Sequence, residues 1–278
     1  MRIAFQGEPG AYSEAAALRF APEAIVMPCR SFEDVFAAVA EGRATRGILP
    51  MENSIGGSIH RNYDLLVEHE LPIVGEVEIA VDHCLLVRPG TRLEDLAIVY
   101  SHPQALAQCE QRLARMAGVE IVAVYDTAGG AKMVAEGERA DAGAVASRRA
   151  AEVFGLEVAA EKIQDYDDNI TRFVLIGRTP AAAEEATKTS LVFALQSTPG
   201  ALHKALGGFA LRDINLTKLE SRPIRGRAWE YMFYVDVDVA RQSLECGRAI
   251  THLGEFSRWV RVLGSYAAWN HGPGDLRT

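Results

Sequence analysis

The order of apolar and amphipathic segments in residues 1–178 limits the fold of this chain more than any other feature. Short apolar runs, typical of strands, alternate with stretches whose apolar residues recur at helical spacing. The predicted strands are Ile3–Phe5, Gly47–Leu49, Ile73–Val77, Cys84–Val87, Ile98–Tyr100, Ile121–Val124 and Ala142–Val145. The predicted helices are Tyr12–Phe20, Phe32–Ala40, Ile59–Glu68, His102–Met116 and Ala128–Glu136. This alternation predicts an α/β fold with largely parallel sheets, and its length predicts two lobes around a cleft.

A proline-containing, polar segment, Thr179–Thr187, has the composition of a linker and separates this region from the next. The elements predicted beyond it are Thr189–Gln196, Ala201–Ala210, Asn215–Glu220, Trp229–Asp238, Arg241–Trp259 and Arg261–Ser265. Their order, βαββαβ, predicts a ferredoxin-like domain. We therefore expect one domain at 1–178 and a second at 188–266, followed by a loosely ordered tail that includes Gly272-Pro273-Gly274.

Composition excludes several classes of function. The formal net charge of −8 argues against a nucleic-acid-binding protein, which needs a basic surface. No apolar run is long enough to span a membrane, and the histidines show no metal-ligand spacing. The four cysteines form no C-x-x-C pair, and no charged-then-apolar leader precedes the first strand. We therefore expect reduced, mostly buried thiols and a cytoplasmic protein.

Small polar residues follow several predicted strands at the point where a helix begins. Asn53 and Ser54 follow one strand, Ser101 is expected to cap the helix after another, and Thr127 is expected to cap a third helix. Helix N-termini on one side of a sheet attract anions, so these entrances predict an anion-binding mouth. The alternative is simple capping, because Ser, Thr and Asn are preferred caps with or without a ligand.

The segment Asn169–Ile176 places polar residues at the start of an apolar strand. Side chains alternate along a strand, so Thr171 and Phe173 share a face, and the Thr171 hydroxyl would point into a cleft at the strand end. The alternative is an ordinary strand entry in which Arg172 lies at the surface.

An ordered series of motifs in the first region resembles prephenate dehydratases, including the arogenate dehydratases of plants. The matching segments are Ile3–Gly7, Gly10–Glu14, Pro50–Ser54, Tyr63–Leu66, Asp82–Leu86, Ser101–Gln104, Gln108–Cys109, Thr127–Gly129 and Thr171–Phe173. The second region resembles an ACT domain, with the effector motifs Gly200-Ala201-Leu202 and Glu220-Ser221-Arg222-Pro223. His203 departs from the family, which more often has an apolar residue there.

The resemblance implies a periplasmic-binding-protein-like catalytic domain and a cofactor-free elimination. Prephenate loses water and carbon dioxide, and the ring becomes aromatic as phenylpyruvate forms. By this resemblance Thr171, Asn53, Ser101 and Gln108 are the expected catalytic residues. The expected substrate-binding residues are Ser54, Thr127, Arg172 and Phe173, where Arg172 is either a carboxylate partner or part of a scaffold ion pair. No metal is expected.

The resemblance also implies that L-phenylalanine binds the ACT domain as an effector, and that the protein is a homodimer or homotetramer. Arogenate instead of prephenate is the alternative substrate, and the cleft leaves open other small molecules such as esters or lactones. A non-catalytic small-molecule-binding protein is the alternative from another class, because two α/β lobes around a cleft also describe solute-binding proteins.

Overall fold

A computed structural model describes residues 1–270 of the chain. The helices are α1 Tyr12–Phe20, α2 Phe32–Ala40, α3 His60–Glu68, α4 Pro103–Gln108, α5 Glu110–Leu113, α6 Thr127–Glu136, α7 Arg148–Phe154, α8 Ala201–Ala210 and α9 Leu244–Phe256. The first strands are β1 Arg2–Gln6, β2 Ile25–Cys29, β3 Arg46–Asn53, β4 Gly57–Ser58, β5 Ile73–Ala80, β6 Cys84–Val87, β7 Ile98–Ser101, β8 Glu120–Ala123, β9 Ala142–Ala146 and β10 Glu157–Ala160. The remaining strands are β11 Ile170–Gly177, β12 Lys188–Leu195, β13 Leu216–Pro223, β14 Tyr231–Val237 and β15 Ser257–Tyr266.

By its internal contacts the chain divides into two units. The first consists of Met1–Val67 and Val77–Val174, and the second of Glu68–Glu76 and the described residues from Leu175 onward. The predicted tail motif at 272–274 lies outside the described residues.

Two sheets organise the first part of the chain. One has the strand order β2-β1-β3-β11-β5, with β4 paired to β3, and the other has the order β10-β6-β9-β7-β8. The chain passes between the sheets twice, through residues 81–83 and 161–169. The two lobes predicted from the sequence are these two sheets with their helices, which confirms the α/β fold class.

The pairing is mixed rather than largely parallel. β1 pairs in parallel with β2 and β3, and β7 with β8 and β9, but β6 runs antiparallel to both β9 and β10. The reason is that β6 enters directly from the other sheet, whereas parallel neighbours require a longer crossover. Strands β2 and β10 were not predicted, because their residues are largely exposed or half-buried and lack a clear apolar run.

The helix predicted at 102–116 is interrupted. Cys109 has φ −117° and ψ 17°, which separates α4 from α5. The apolar pattern continues across the break, since Ala105, Cys109 and Leu113 are all buried in one cluster with Leu85 and Val99. Periodicity therefore identified the buried face correctly and missed the break.

The second unit has the predicted βαββαβ order. Its four strands form an antiparallel sheet in the order β13-β14-β12-β15, with α8 and α9 packed on one another. The core of this unit includes Phe193 of β12, Phe209 of α8 and Leu253 of α9. The last helix ends at Phe256, so the prediction that it reaches Trp259 was wrong, and Trp259 belongs to β15.

A buried ion pair ties residues 68–76 to the rest of the second unit. Lys188 Nζ lies 2.6 Å from Glu76 Oε1, with the glutamate side chain 1% and the lysine side chain 12% exposed. The backbone N–H of Trp269 also donates to Glu76 Oε1, and Arg261 donates to the carbonyl of His69.

The four cysteines all lie within the described residues, and all are free. Cys84, Cys109 and Cys246 are buried, and Cys29 is half-buried. Burial raises the pKa of the Cys109 thiol to about 12, so its reactive thiolate is scarce at neutral pH. No described helix has the length and apolar character needed to cross a membrane, and no described cluster of His, Cys, Asp or Glu has the grouping of a metal site.

Candidate active site

A cavity of about 160 Å³ with both polar and apolar side chains in its lining lies in the first unit, where the two crossings between the sheets meet strand and helix ends. Its lining residues are Tyr12, Ser13, Pro50, Asn53, Ile59, Val81, His83, His102, Gln104, Ala105, Gln108, Thr127, Thr171 and Phe173. Among these described residues there is no lysine, arginine, aspartate or glutamate. Hydrogen-bonding groups and two histidines therefore determine the chemistry of the cavity.

The orientation of the Asn53 amide follows from its backbone neighbours. The backbone N–H groups of Ile55 and Gly56 donate to Asn53 Oδ1 at 3.1 and 2.7 Å. Since a backbone N–H cannot accept, Oδ1 must be the oxygen, and the amide nitrogen faces the opposite way. That nitrogen lies 2.9 Å from Thr171 Oγ1 and 2.7 Å from Asn169 Oδ1.

Because its oxygen accepts from Asn53, the Thr171 hydroxyl can still donate its own hydrogen. Thr171 Oγ1 accepts a hydrogen from Asn53, and among the described residues its own proton has no protein acceptor within hydrogen-bonding distance. Thr171 is buried and lines the cavity, together with Phe173 two residues further along β11. A hydroxyl held in this way presents a hydrogen-bond donor to whatever occupies the cavity.

The same reasoning orients the next two amides. Because Asn169 Oδ1 accepts from Asn53, Asn169 Nδ2 is the donor to Gln108 Oε1 at 3.0 Å. Gln108 Nε2 then faces Asn53 Oδ1 at 3.3 Å. Gln108 and Asn169 are both almost completely buried, so this closed amide network is held without solvent.

His83 continues the network toward α1. Its Nε2 lies 2.9 Å from Gln108 Oε1, an acceptor, so Nε2 carries the proton. The Tyr12 hydroxyl lies 3.0 Å from His83 Nδ1 and 2.8 Å from the carbonyl oxygen of Asp82. Burial lowers the pKa of His83, while Gln108 and Asp82 act in the opposite direction. Burial likewise raises the pKa of Tyr12, so its hydroxyl stays protonated.

The first turns of α4 and α6 complete the lining of the cavity, but the N-cap residues of these helices differ from those predicted. The cap of α4 is His102, whose Nδ1 accepts from the Gln104 N–H at 3.2 Å, and the cap of α6 is Asp126. Ser101 and Thr127 therefore do not cap these helices, because each lies one position away from the residue with the extended backbone of a cap. Thr127 nevertheless lines the cavity from the first turn of α6.

Gly56 allows a close approach on this side of the cavity. A Cβ at this position would lie 1.8 Å from Gln104 Nε2, so any larger residue would displace the Gln104 side chain. The glycine in the loop after β3 thus lets the end of the Gln104 side chain, a lining residue, lie against the backbone.

Three of the predicted site residues do not line the cavity. Ser101 is fully buried and its hydroxyl donates to the carbonyl of Val145 at 2.6 Å. Ser54 is bound to the carbonyl of Asp168 and the N–H of Ile170, which fixes the loop before β11. Arg172 alternates with Thr171 and Phe173 along β11, so its side chain faces away from them.

The amino-acid sequence alone did not single out Tyr12, His83 or Asn169 for a role in the site. His83 lies in the segment Asp82–Leu86 that resembles the family, and Asn169 begins the segment Asn169–Ile176, but neither was assigned a role. Both lie on the crossings between the sheets, where no periodic pattern exists to place them. The available signal was their position inside or beside segments that carry the family resemblance.

The predicted effector residues lie in the second unit. Gly200 has φ +73° and precedes α8, which begins with Ala201 and Leu202. The segment Glu220–Pro223 ends β13. Met232 of β14 pairs with Ala194, near the end of β12, on one side and with Arg222 of β13 on the other. Both motifs therefore lie at the same end of the sheet.

Comparison with known proteins gives matches over both regions. The sequence profile of the family described as "Prephenate dehydratase" matches residues 3–181, and the profile described as "ACT domain" matches residues 189–243. Arogenate dehydratase/prephenate dehydratase 2, chloroplastic, from Arabidopsis thaliana is 50% identical over 277 residues, which cover 96% of this chain and 72% of that relative.

Solved structures also match along almost the whole chain. Prephenate dehydratase from Arthrobacter aurescens, in complex with L-Phe, is 32% identical with a TM-score of 0.87, over 96% of this chain and 90% of that one. GqqA, described as a novel type of quorum quenching acylase, is 40% identical with a TM-score of 0.89, over 97% and 98% of the two chains.

The relatives correct the predicted location. Several Arabidopsis thaliana relatives, at 46–50% identity, are chloroplastic proteins by name. The expectation of a cytoplasmic protein was therefore wrong. The expectation rested on the residues before the first strand, which do not report the destination of the protein.

Proposed function

The chain belongs to the prephenate dehydratase family and is a carbon–oxygen lyase of phenylalanine biosynthesis, and from that premise we propose how its cavity performs the elimination. The observation that carries the proposal is the Thr171 hydroxyl, which lines the cavity and accepts from Asn53, and whose own hydrogen has no acceptor among the described residues. Thr171, Asn53 and Gln108 are the proposed catalytic residues, and Thr127 and Phe173 contact the substrate from the cavity wall.

The reaction requires one proton and no redox cofactor. As the C–CO₂⁻ bond of prephenate breaks, its electron pair enters the ring, carbon dioxide departs, and the ring hydroxyl leaves as hydroxide, which takes up a proton from solvent to become water. Phenylpyruvate is the product, and formation of the aromatic ring supplies much of the driving force. The protein must therefore hold a dianion and stabilise the leaving oxygen.

Thr171 is proposed to donate a hydrogen bond to that leaving oxygen. A threonine hydroxyl is too weak an acid to give up its proton unaided near pH 7. Its effect is stabilisation of the developing hydroxide, for which an oriented donor in a water-poor site accelerates reactions by about 10²–10⁴-fold. The amide network supports this role because it fixes the hydroxyl without reorganisation during the reaction.

Ser101, Ser54 and Arg172 are proposed to support the site from outside the cavity. Ser101 connects β7 to β9 through Val145, and Ser54 fixes the approach to β11. Arg172 is proposed as a scaffold residue, since its neighbours Thr171 and Phe173 take the cavity face of the strand.

The test is turnover by matched variants of Thr171. Thr171→Val keeps the shape of the side chain and removes the hydroxyl, so kcat with prephenate should fall by about 10²–10⁴-fold with normal circular dichroism. Thr171→Ser keeps the donor and should retain far more activity. Near-full activity of Thr171→Val would refute the role of the hydroxyl.

Prephenate is the proposed main substrate and arogenate the alternative. The two differ in the side chain, where arogenate has an ammonium group that requires an acceptor. The cavity lining contains no described carboxylate to meet that ammonium, which supports prephenate. Arogenate remains the alternative substrate, because a relative is named for both activities. The ratio of kcat/KM for the two substrates decides between them.

The second unit is proposed to bind L-phenylalanine and regulate the enzyme. Support comes from the ACT profile, from the L-Phe complex of the Arthrobacter relative, and from the shared end of the sheet at which both effector motifs lie. We propose domains at 1–178 and 188–266, and a homodimer or homotetramer in which protomers pair through the ACT domains. Sedimentation velocity with and without L-phenylalanine tests the assembly.

Acyl-amide hydrolysis is a second candidate function. The similarity to GqqA over 97% of the chain favours it, and an imidazole in the cavity supplies a base for activating water. Incubation with a long-chain N-acyl amide, followed by detection of the released amine, tests it. Loss of that activity in Thr171→Val would place both reactions in one site.

A further inference from the structure

The cavity lacks a permanent positive charge for a dianionic substrate. None of the described lining residues is lysine or arginine, although prephenate has two carboxylates. Neutral donors such as Thr171 and the amides satisfy carboxylate oxygens but do not neutralise charge. The lining residues with an imidazole side chain are His83 and His102.

His102 is already engaged in a local contact. Its Nδ1 accepts from the Gln104 N–H, the hydrogen bond that caps α4, so this nitrogen has a fixed role in the start of the helix.

His83 accepts a proton without losing a partner. Its Nε2–H already donates to Gln108 Oε1, and a proton on Nδ1 would be donated to the Tyr12 oxygen. Tyr12 would then direct its own hydrogen entirely to the carbonyl of Asp82, 2.8 Å away. Every N–H of the imidazolium thus has an acceptor that is already in place.

We propose that His83 takes up a proton from solvent when the dianionic substrate binds, and that the resulting imidazolium is the counter-charge for one substrate carboxylate. The inference rests on the proposed function, because it assumes a doubly charged substrate in this cavity. It assigns a binding role to His83, which lies on the crossing at 81–83 and not at the start of a helix.

The charges around His83 are compatible with this change. The Asp82 carboxylate favours the cation, although Lys162 lies 3.8 Å from it and partly offsets its charge. Tyr12, from α1, has its pKa raised and stays neutral, and burial similarly raises the pKa values of the nearby Cys84 and Cys109 thiols. Among these influences burial is the largest, and it lowers the pKa of His83.

The consequence is a pH-dependent KM. The pKa of His83 is lowered in the free protein and rises when an anion binds beside it, so affinity falls as pH increases between those two values. Uptake of a single proton makes KM for prephenate rise about tenfold per pH unit inside this window. Arogenate carries a smaller net negative charge and should show a weaker rise.

The direct measurement is proton uptake by calorimetry at pH 7, using Thr171→Val so that prephenate binds without turnover. Binding heats in phosphate and Tris, which differ in ionisation enthalpy, give the number of protons taken up. We expect uptake approaching one proton, and its loss on adding His83→Gln, which retains an amide N–H for Gln108. Adding His102→Gln instead is the matched control and should leave uptake unchanged.

Tyr12→Phe supplies a second variant in case His83→Gln does not fold. It removes the acceptor for the Nδ1 proton, so uptake at pH 7 should decrease while the imidazole remains. Undiminished uptake in either the His83→Gln or the Tyr12→Phe background would overturn the proposal, as would prephenate binding without uptake. Failure of the proposed function is distinguishable, because it appears as absent turnover in the unaltered protein whatever the protonation of His83.

Discussion

Replacing Asn53 with aspartate tests the amide network that orients Thr171. The substitution Asn53→Asp preserves shape and exchanges the Nδ2 donor for an oxygen. That oxygen would face Asn169 Oδ1 at 2.7 Å and the carbonyl of Ile170 at 3.2 Å, both of which only accept. The Thr171 hydroxyl would turn to donate to the new carboxylate, so its proton would no longer point into the cavity.

The expected stability loss follows from these contacts. Each lost hydrogen bond contributes about 0.5–1.5 kcal/mol, and a buried carboxylate facing acceptors adds a further desolvation penalty. We expect the free energy of unfolding to fall by roughly 2–5 kcal/mol at pH 7. Burial raises the pKa of the new carboxyl above its unfolded value of about 3.9, so the penalty grows as pH rises above about 4 and shrinks below it. kcat should fall with the loss of the Thr171 donor.

The protein contains an internal reference for this measurement. Its tryptophans are Trp229, Trp259 and Trp269, all in the second unit, so tryptophan fluorescence during unfolding reports that unit. Circular dichroism reports both units. Asn53→Asp should shift the dichroism transition more than the fluorescence transition, and the exposed control Asn270→Asp should cost less than about 0.5 kcal/mol. Equal stability of Asn53→Asp and the unaltered protein at pH 8 would contradict the assigned amide orientation.

Three further outcomes follow from the same structure. Ser221→Ala, in the second unit, should weaken inhibition by L-phenylalanine and leave uninhibited kcat unchanged; an unchanged inhibition curve would count against the effector assignment. Lys188→Met removes the ammonium group that lies 2.6 Å from the buried Glu76 carboxylate and should lower the free energy of unfolding by about 3–5 kcal/mol, measured by denaturant unfolding; a loss below about 1 kcal/mol would show that the pair is dispensable. The native protein at pH 8 should react with a thiol reagent first at half-buried Cys29 and far more slowly at Cys109, whose pKa is raised to about 12; rapid labelling of Cys109 would refute its burial.

The parts of the fold that could be predicted are those with a repeating pattern. Buried strands such as Cys84–Val87 and amphipathic helices such as Phe32–Ala40 were located to the residue. The break at Cys109 was missed because the apolar spacing continues through it. The antiparallel insertion of β6 was missed because strand direction depends on which sheet the chain has just left, which local sequence does not record.

The candidate site was predictable where residues follow strands and less so on the crossings. Asn53, Thr127 and Thr171 line the cavity as the family motifs suggested. His83 lies in a short segment with no periodicity, and its importance depends on Gln108, which is 25 residues away in sequence. Such contacts are fixed by tertiary structure, since each partner is an ordinary buried polar residue when considered alone.

The most direct test of the account is turnover of prephenate by the purified chain, followed as phenylpyruvate absorbance in alkali after subtraction of the spontaneous reaction. Arogenate should be assayed in parallel through release of phenylalanine. The account predicts enzymatic phenylpyruvate formation that Thr171→Val lowers by about 10²–10⁴-fold and that Thr171→Ser largely retains. Absence of turnover with both substrates would contradict it.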